Sequence, residues 1–268
     1  MKLFRRGGNP EQTVNPEPTE LKNLEQETRL PDLPPNFEQQ LLENGAKLLV
    51  PKRLIQDTRY NGTAETLLAF HPELEIPQDS LAPETRHDDL VAALTYAGFK
   101  ATAPGYETVF YVSQYQKPGY EMLVRMRQEN RNPVWFIFTV KGPKTQVREI
   151  IKERPEYEAL FIDPKAIREV LERTGFSVSS YFEKQRTTLE FMGCKVEIDV
   201  CPVPQIDPWG EIEGNQVQIQ KALKEIQRIT GYQGRPIAIG QREFFKQELN
   251  RLKIKGVDPN NVRFGEQS

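Results

Sequence analysis

Charged residues that recur two apart between Tyr181 and Gly214 constrain this 268-residue chain more than any other feature of its sequence. In YFEKQRTTLEFMGCKVEIDVCPVPQIDPWGEIEG the spacing joins Lys184 to Arg186, Lys195 to Glu197 and Asp199, and Glu211 to Glu213. Alternate side chains of a strand leave on opposite faces, so each set shares one face, while Met192, Cys194, Val196, Ile198 and Val200 share the other. Arg125 and Arg127 repeat the pattern against Val124 and Met126, Lys141 closes FIFTVKGP, and Arg154, Glu156 and Glu158 fall in step in RPEYE. Strands with one apolar and one ionic face admit two arrangements. Either helices cover the outside of a curled sheet with a charged interior, or the sheet lies flat with its charges in water.

The order of elements favours the curled sheet. RHDDLVAALTYAGF places Leu90, Ala93, Leu94 and Ala97 at helical spacing, with Asp88 and Asp89 in the first turn, where the helix dipole favours negative charge. Asp163 and Pro164 open a second helix whose stripe of Ile167, Val170, Leu171 and Thr174 stops at Gly175. Gly98-Phe99 and Gly175-Phe176 end the two helices alike, and strands follow each, so the spacing predicts two similar halves closing one sheet. ETVFYVSQ and EMLVRMRQ read as a hairpin about Lys117-Pro118-Gly119, and VWFIFTVKGP as the next strand. Asn215 caps a helix ending at Gly231, and Gln241 to Leu252 form another that buries Phe244 and Phe245; both read as outer cover. The fold class expected is α+β: a closed antiparallel β-barrel, or tunnel, of two similar halves with helices packed outside.

Residues 1–36 are rich in Glu, Pro, Asn, Gln and Thr and read as a disordered tail. Residues 37–63 read as an extension docking on the main domain at 64–256, and 257–268 as a C-terminal tail. A formal net charge of −2 gives no general attraction for nucleic acid, and no apolar run suits a bilayer or a signal peptide, so a cytoplasmic protein is expected. Cys194 and Cys201 fall on opposite faces of one extended segment, which argues against a disulfide. With only two histidines, His71 and His87, a zinc site or a histidine triad has little to work with. Any metal should therefore have oxygen ligands.

Taken in order, RMR, TVKGP, RPEYE, EKQR, VEIDV and GEIEG resemble the CYTH superfamily, which includes class IV adenylyl cyclases, thiamine triphosphatases and related triphosphate tunnel metalloenzymes. The resemblance spans roughly Glu73 to Leu252. It implies a tunnel in which Arg125, Arg127, Lys141, Arg154, Lys184 and Arg186 hold a triphosphate, with Lys184 and Arg186 serving the chemistry. Glu211, Glu213 and Asp199 are then ligands for Mg²⁺ or Mn²⁺. In the family the first strand carries Glu-x-Glu-x-Lys; Glu73 and Glu75 fit its acidic half, and Pro77 stands where the lysine would be.

Arginine forks suit phosphate oxygens, and hard cations join carboxylate to phosphate. The expected function is metal-dependent hydrolysis of an inorganic, thiamine or nucleoside triphosphate. The alternatives are cyclisation of ATP to cyclic AMP and pyrophosphate, and a triphosphate-binding module without turnover. The expected partner is a triphosphate-containing small molecule, with neither membrane nor nucleic acid, and a homodimer is left open.

Overall fold

The computed structural model describes residues 24–62, 123–130, 134–142, 150–173 and 175–265, with short pieces at 74–75, 93, 99–101, 109–112 and 146–147. Eight antiparallel strands close a barrel. In chain order they are β1 (Leu24–Leu30), β2 (Lys47–Gly62), β6 (Leu123–Glu129), β7 (Trp135–Lys141), β9 (Lys152–Phe161), β10 (Phe176–Phe191), β11 (Cys194–Val200) and β12 (Trp209–Glu213). The strands β3 (Leu74–Glu75), β4 (Phe99–Ala101) and β5 (Val109–Val112) form a separate sheet in the order β3-β5-β4, and β8 (Gln146–Val147) and β13 (Asn261–Val262) flank the barrel. Around the ring the order is β1-β12-β11-β10-β2-β6-β7-β9, and β9 pairs back onto β1. No edge is left on the ring, which is how an antiparallel sheet avoids unpaired backbone groups.

Parity explains why the sheet closes. Along β11, Val196 and Ile198 are buried against the helices, while Lys195, Glu197 and Asp199 face inward. The outer faces pack under α1 (Phe37–Glu43) and α3 (Gln216–Thr230), where Leu41, Val196, Ile212, Ile219, Leu223 and Ile226 share one core. Burying this apolar face on one side leaves the ionic face only the interior. The capping box of Asn215 with Gln218 starts α3, and Gly231, at φ 67°, ends it. Asp163 accepts from the Lys165 amide at 2.8 Å and opens α2 (Lys165–Arg173). No described helix is long and apolar enough to cross a membrane.

Six expectations need correction or fall elsewhere. Residues from Leu24 are not tail: β1 pairs with β12 and β9, because Glu25, Glu27 and Arg29 alternate with Leu24, Gln26, Thr28 and Leu30 just as the later strands do. The stretch read as a docking extension supplies β2, a 16-residue strand of the ring. β5 pairs with β3 and β4 rather than with β6, whose free edge is taken by β2. Val262, in the stretch read as a C-terminal tail, is fully buried and pairs through β13 with Phe182. Of the helix read at RHDDLVAALTYAGF only Ala93 falls among the described residues; the comparison of the two halves therefore lies largely outside them.

The sixth concerns α4 (Gln241–Arg251), which is more than outer cover. Phe182 and Trp209 share the inward parity of Lys184 and Glu211, and α4 sets Phe245 edge-on to Phe182 at 5.0 Å and Phe244 beside Trp209 at 5.5 Å. Gln241, Arg242, Glu243 and Lys246 of the same helix line the barrel cavity. The helix thus closes part of the interior on an aromatic floor.

Candidate functional site: an ionic cavity inside the barrel

The barrel holds a cavity of about 1140 Å³ whose lining, among the described residues, carries twelve basic and nine acidic side chains. Of the triphosphate ligands expected from sequence, Arg125, Arg127, Lys141, Arg154 and Arg186 line it. Lys184 is fully buried beneath that surface, its ammonium donating to Asp199 Oδ2 at 2.9 Å and Gln241 Oε1 at 3.2 Å. Burial and the neighbouring Arg186 push the Lys184 pKa down to about 8, against the pull of Asp199 and Asp57. Asp199 lies beneath the surface as well, gripped by Arg186 through Nε at 2.6 Å and Nη2 at 2.7 Å. The two residues orient Arg186 from behind.

Glu211 and Glu213 meet the expectation of convergence, and they bring different companions. Two overlapping triads, Glu25 with Glu27 and Glu213, and Glu197 with Glu211 and Glu213, place carboxylate oxygens within 4.8 Å of one another. Asp199 is in neither. Glu73 lies outside the described residues, and Glu75 belongs to β3, whose partner is β5 and not the ring. The carboxylate pair of a first strand is supplied by Glu25 and Glu27, with Arg29 at the following inward position. Carboxylates at this spacing suit a hard divalent ion such as Mg²⁺ or Mn²⁺.

Crowding marks the triads electrostatically. Burial, then the charges of Glu197, Glu25 and Glu211, raise Glu213 to about 8 in spite of its contact with Lys195. Burial lifts Glu25 to about 7, with Lys141 opposing and Glu156 adding to it. Glu211 goes the other way: burial is outweighed by Arg29, Lys152 and Arg186, which hold its carboxyl well below the usual range. Lys195, on the ionic face of β11, is partly exposed and lines the cavity, contacting both Glu197 and Glu213.

Pairing with acids offsets most of the repulsion among the cations of the interior. Arg29 meets Glu211 at 2.6 Å, Lys141 meets Glu25 at 2.8 Å and contacts Glu156, and Lys152 contacts Glu27. Arg127 meets Asp57 at 2.8 Å, and Arg53 forks onto Glu129 at 3.1 and 3.3 Å. Arg154 donates to the Gly142 carbonyl and so ties β9 to the end of β7. Sequence reasoning missed Glu25, Glu27, Arg29, Arg53, Asp57, Arg59 and Lys152, although the spacing by twos in LEQETR and in Arg53, Asp57 and Arg59 carried the same signal.

No family model matches the sequence, and no curated protein does. Among solved structures the chain is similar to a candidate adenylyl cyclase of Hippeastrum described as having a dominant triphosphatase activity, at 12% identity and TM-score 0.49 over 84% of this chain and 96% of that one. It is similar to a candidate adenylate cyclase of Vibrio parahaemolyticus at 11% identity and TM-score 0.49, over 83% and 98%. It is also similar to a chain of the Schizosaccharomyces pombe Mediator head module at 13% identity and TM-score 0.43, over 81% and 98%. The closure of the barrel stands on its own strand pairing. That closed eight-stranded ring, with helices against it, fits the fold implied by the resemblance to the CYTH superfamily.

Proposed function

We propose that the cavity binds a triphosphate together with Mg²⁺ or Mn²⁺ and hydrolyses its terminal phosphoanhydride. One observation carries the reading: inside a single cavity, two carboxylate triads on β1, β11 and β12 share space with cations from β6, β7, β9 and β10. Such a wall of arginine and lysine attracts a polyanion, and the carboxylates that cannot touch phosphate directly can do so through a hard cation. Glu25, Glu27, Glu197, Glu211 and Glu213 are the residues that would hold it. A bound divalent ion there supplies charge neutralisation and polarisation of phosphate oxygens.

The chain's own residues supply the rest. Arg125, Arg127, Lys141, Arg154 and Arg186 bind the phosphate oxygens and stabilise charge developing on them, and Lys184 with Asp199 keeps the Arg186 guanidinium in place. In hydrolysis, the oxygen of a water forms the new bond to the terminal phosphorus while the bridging P–O bond breaks, releasing orthophosphate and the shortened chain.

The test is incubation of the full chain with Mg²⁺ or Mn²⁺ and a panel of inorganic, thiamine and nucleoside triphosphates, with orthophosphate, pyrophosphate and cyclic AMP assayed separately. Orthophosphate is the expected product. Pyrophosphate with cyclic AMP would replace hydrolysis by cyclisation, and tight binding without product would leave a binding module. Absence of both binding and product with every triphosphate would end the reading.

A further inference from the structure

The cations of the cavity are not equally satisfied. On the β1, β11 and β12 side Arg29, Lys152 and Arg186 each reach a carboxylate. On the side built by β2, β6 and α4 Arg127 reaches Asp57 and Arg53 reaches Glu129, but three other arginines are less well matched. Arg59 lines the cavity with no ion pair among the described residues. Arg125 reaches acids only at 3.6 Å or beyond, and its Nε is buried without a partner. Arg242 has one guanidinium nitrogen held by Asn260 while its Nε is buried and unpartnered. β6 stands four places from β12 in the ring of eight, so this side faces the carboxylate wall.

Two further donors converge on the same place. Gln241 is nine-tenths buried and lines the cavity; its Oε1 accepts from Lys184, which leaves its Nε2 without any partner. The same residue opens α4, whose N-cap is Gly240, so no side chain caps the first amides. An uncapped helix start has free N–H groups and the positive end of the dipole, and both favour an anion. The one acid in this turn, Glu243, is exposed and accepts from Gln247 further along the helix. Burial and the nearby Arg125, Arg242 and Arg29 lower the Arg59 pKa to about 10 against the pull of Asp57, as expected of a cation short of counter-charge.

We infer that Arg59, Arg242, Arg125 and the Gln241 amide form a subsite for the free terminal phosphoryl group of a polyphosphate chain, with α4 as its floor. The inference rests on the proposed function and adds an orientation to it. A terminal phosphoryl carries about twice the charge of a bridging one and has three unshared oxygens, which suits three guanidinium groups and an amide with donors to spare. A ligand would then lie with its unesterified end on α4, and any organic group would extend away from that helix.

The experiment titrates inorganic tripolyphosphate into the full chain by calorimetry, first without divalent metal, where no turnover occurs, and then with Mg²⁺. Arg59→Gln and Arg242→Gln should each weaken metal-free binding by about tenfold or more, while thermal melting of the free variants stays at or above that of the parent protein. Tripolyphosphate methylated on both terminal phosphates should bind the parent protein as weakly as the unmodified chain binds Arg59→Gln. Parent-like binding by both variants, or tight binding of the capped chain, would overturn the subsite and leave the polyphosphate reading standing. Failure of the parent protein to bind tripolyphosphate in either condition would overturn both. Arg242 lies on a half-exposed helix position, so its variant keeps the test decisive if Arg59→Gln does not fold.

Discussion

The two walls of the cavity solve the cost of buried charge in different ways. On β1, β11 and β12 cations and carboxylates interlock: Glu211 alone contacts Arg29, Lys152 and Arg186. On β2, β6 and α4 Arg59 has no ion pair among the described residues, and Arg125 reaches acids only at 3.6 Å or beyond. A buried ion costs several kcal/mol unless it is paired, so the second wall bears more uncompensated charge than the first. The interlocked wall also carries excess carboxylate, as the raised Glu25 and Glu213 show. Under the proposed function the first wall would hold the metal ion and the second the polyanion.

The sharpest way to break this contrast is to remove the acid at the centre of the first wall. Glu211→Ala should reduce metal-dependent turnover by a factor of about a thousand or more, because one variant removes a member of a carboxylate triad and the acid that pairs with Arg29. It should also destabilise the fold by about 3 kcal/mol, since Arg29 stays buried without its carboxylate while Lys152 keeps Glu27 and Arg186 keeps Asp199. Steady-state kinetics and urea denaturation read the two effects, and near-parental turnover would remove Glu211 from the site.

Asp57 tests the boundary between the walls. It is buried and holds Arg127, with Arg125 further off, and burial is outweighed by these two charges and Lys184 so that its carboxyl stays far below the usual range. Asp57→Ala should cost about 3 kcal/mol and bring a second arginine into the unpaired condition of Arg59. A loss below about 1 kcal/mol in denaturant titration would show that the β6 arginines do not depend on it.

How much of this was legible in the sequence follows from the length and purity of each pattern. β11 reads plainly because apolar residues alternate with charges, as Val196 and Ile198 do with Glu197 and Asp199, and β10 and β12 show the same spacing of charges at Lys184 and Arg186 and at Glu211 and Glu213. β1 obeys the same rule, yet its outward residues are Leu24, Gln26, Thr28 and Leu30, only two of them apolar, and its flanks are polar and proline-rich. Closure of the ring supplies what local sequence could not, since β1 is bonded to a neighbour on both sides. In β2 the inward set is broken by Ile55, which sits between Arg53 and Asp57. For α4 the pair Phe244 and Phe245 identified a buried face correctly, but an amphipathic pattern does not say which surface receives it. Here that surface is the floor of the barrel, which is why Gln241 and Arg242 reach the cavity.

Excess acid on the first wall sets a pH dependence of known sign. Glu25 and Glu213 have folded pKa values raised to about 7 and about 8, so both carry protons that an incoming metal ion must displace. Their contribution to the stability of the metal-free protein is fully present below the ordinary carboxyl pKa and is lost as pH rises through 7 and 8. Affinity for Mg²⁺ should therefore increase by more than about tenfold between roughly pH 6 and pH 9, with proton release. Saturating Mg²⁺ should make melting temperature rise over the range where the metal-free protein declines. Calorimetry in buffers of different ionisation enthalpy counts the protons, and a pH-independent affinity would contradict the crowding of the triads.

The smallest expected effect falls on the second wall and has the opposite sign to the first. Arg59→Gln removes a cation that faces other arginines without an ion pair of its own, so it should stabilise the free protein, by on the order of 1 kcal/mol or a few degrees in melting temperature. The glutamine retains an amide able to bond within the cavity, which limits the loss of packing. A destabilisation as large as that of Glu211→Ala would mean that Arg59 is held by the empty fold and not reserved for an anion. Added tripolyphosphate should reverse the ranking, stabilising the parent protein more than the variant, because mass action rewards only the state with the guanidinium that binds it.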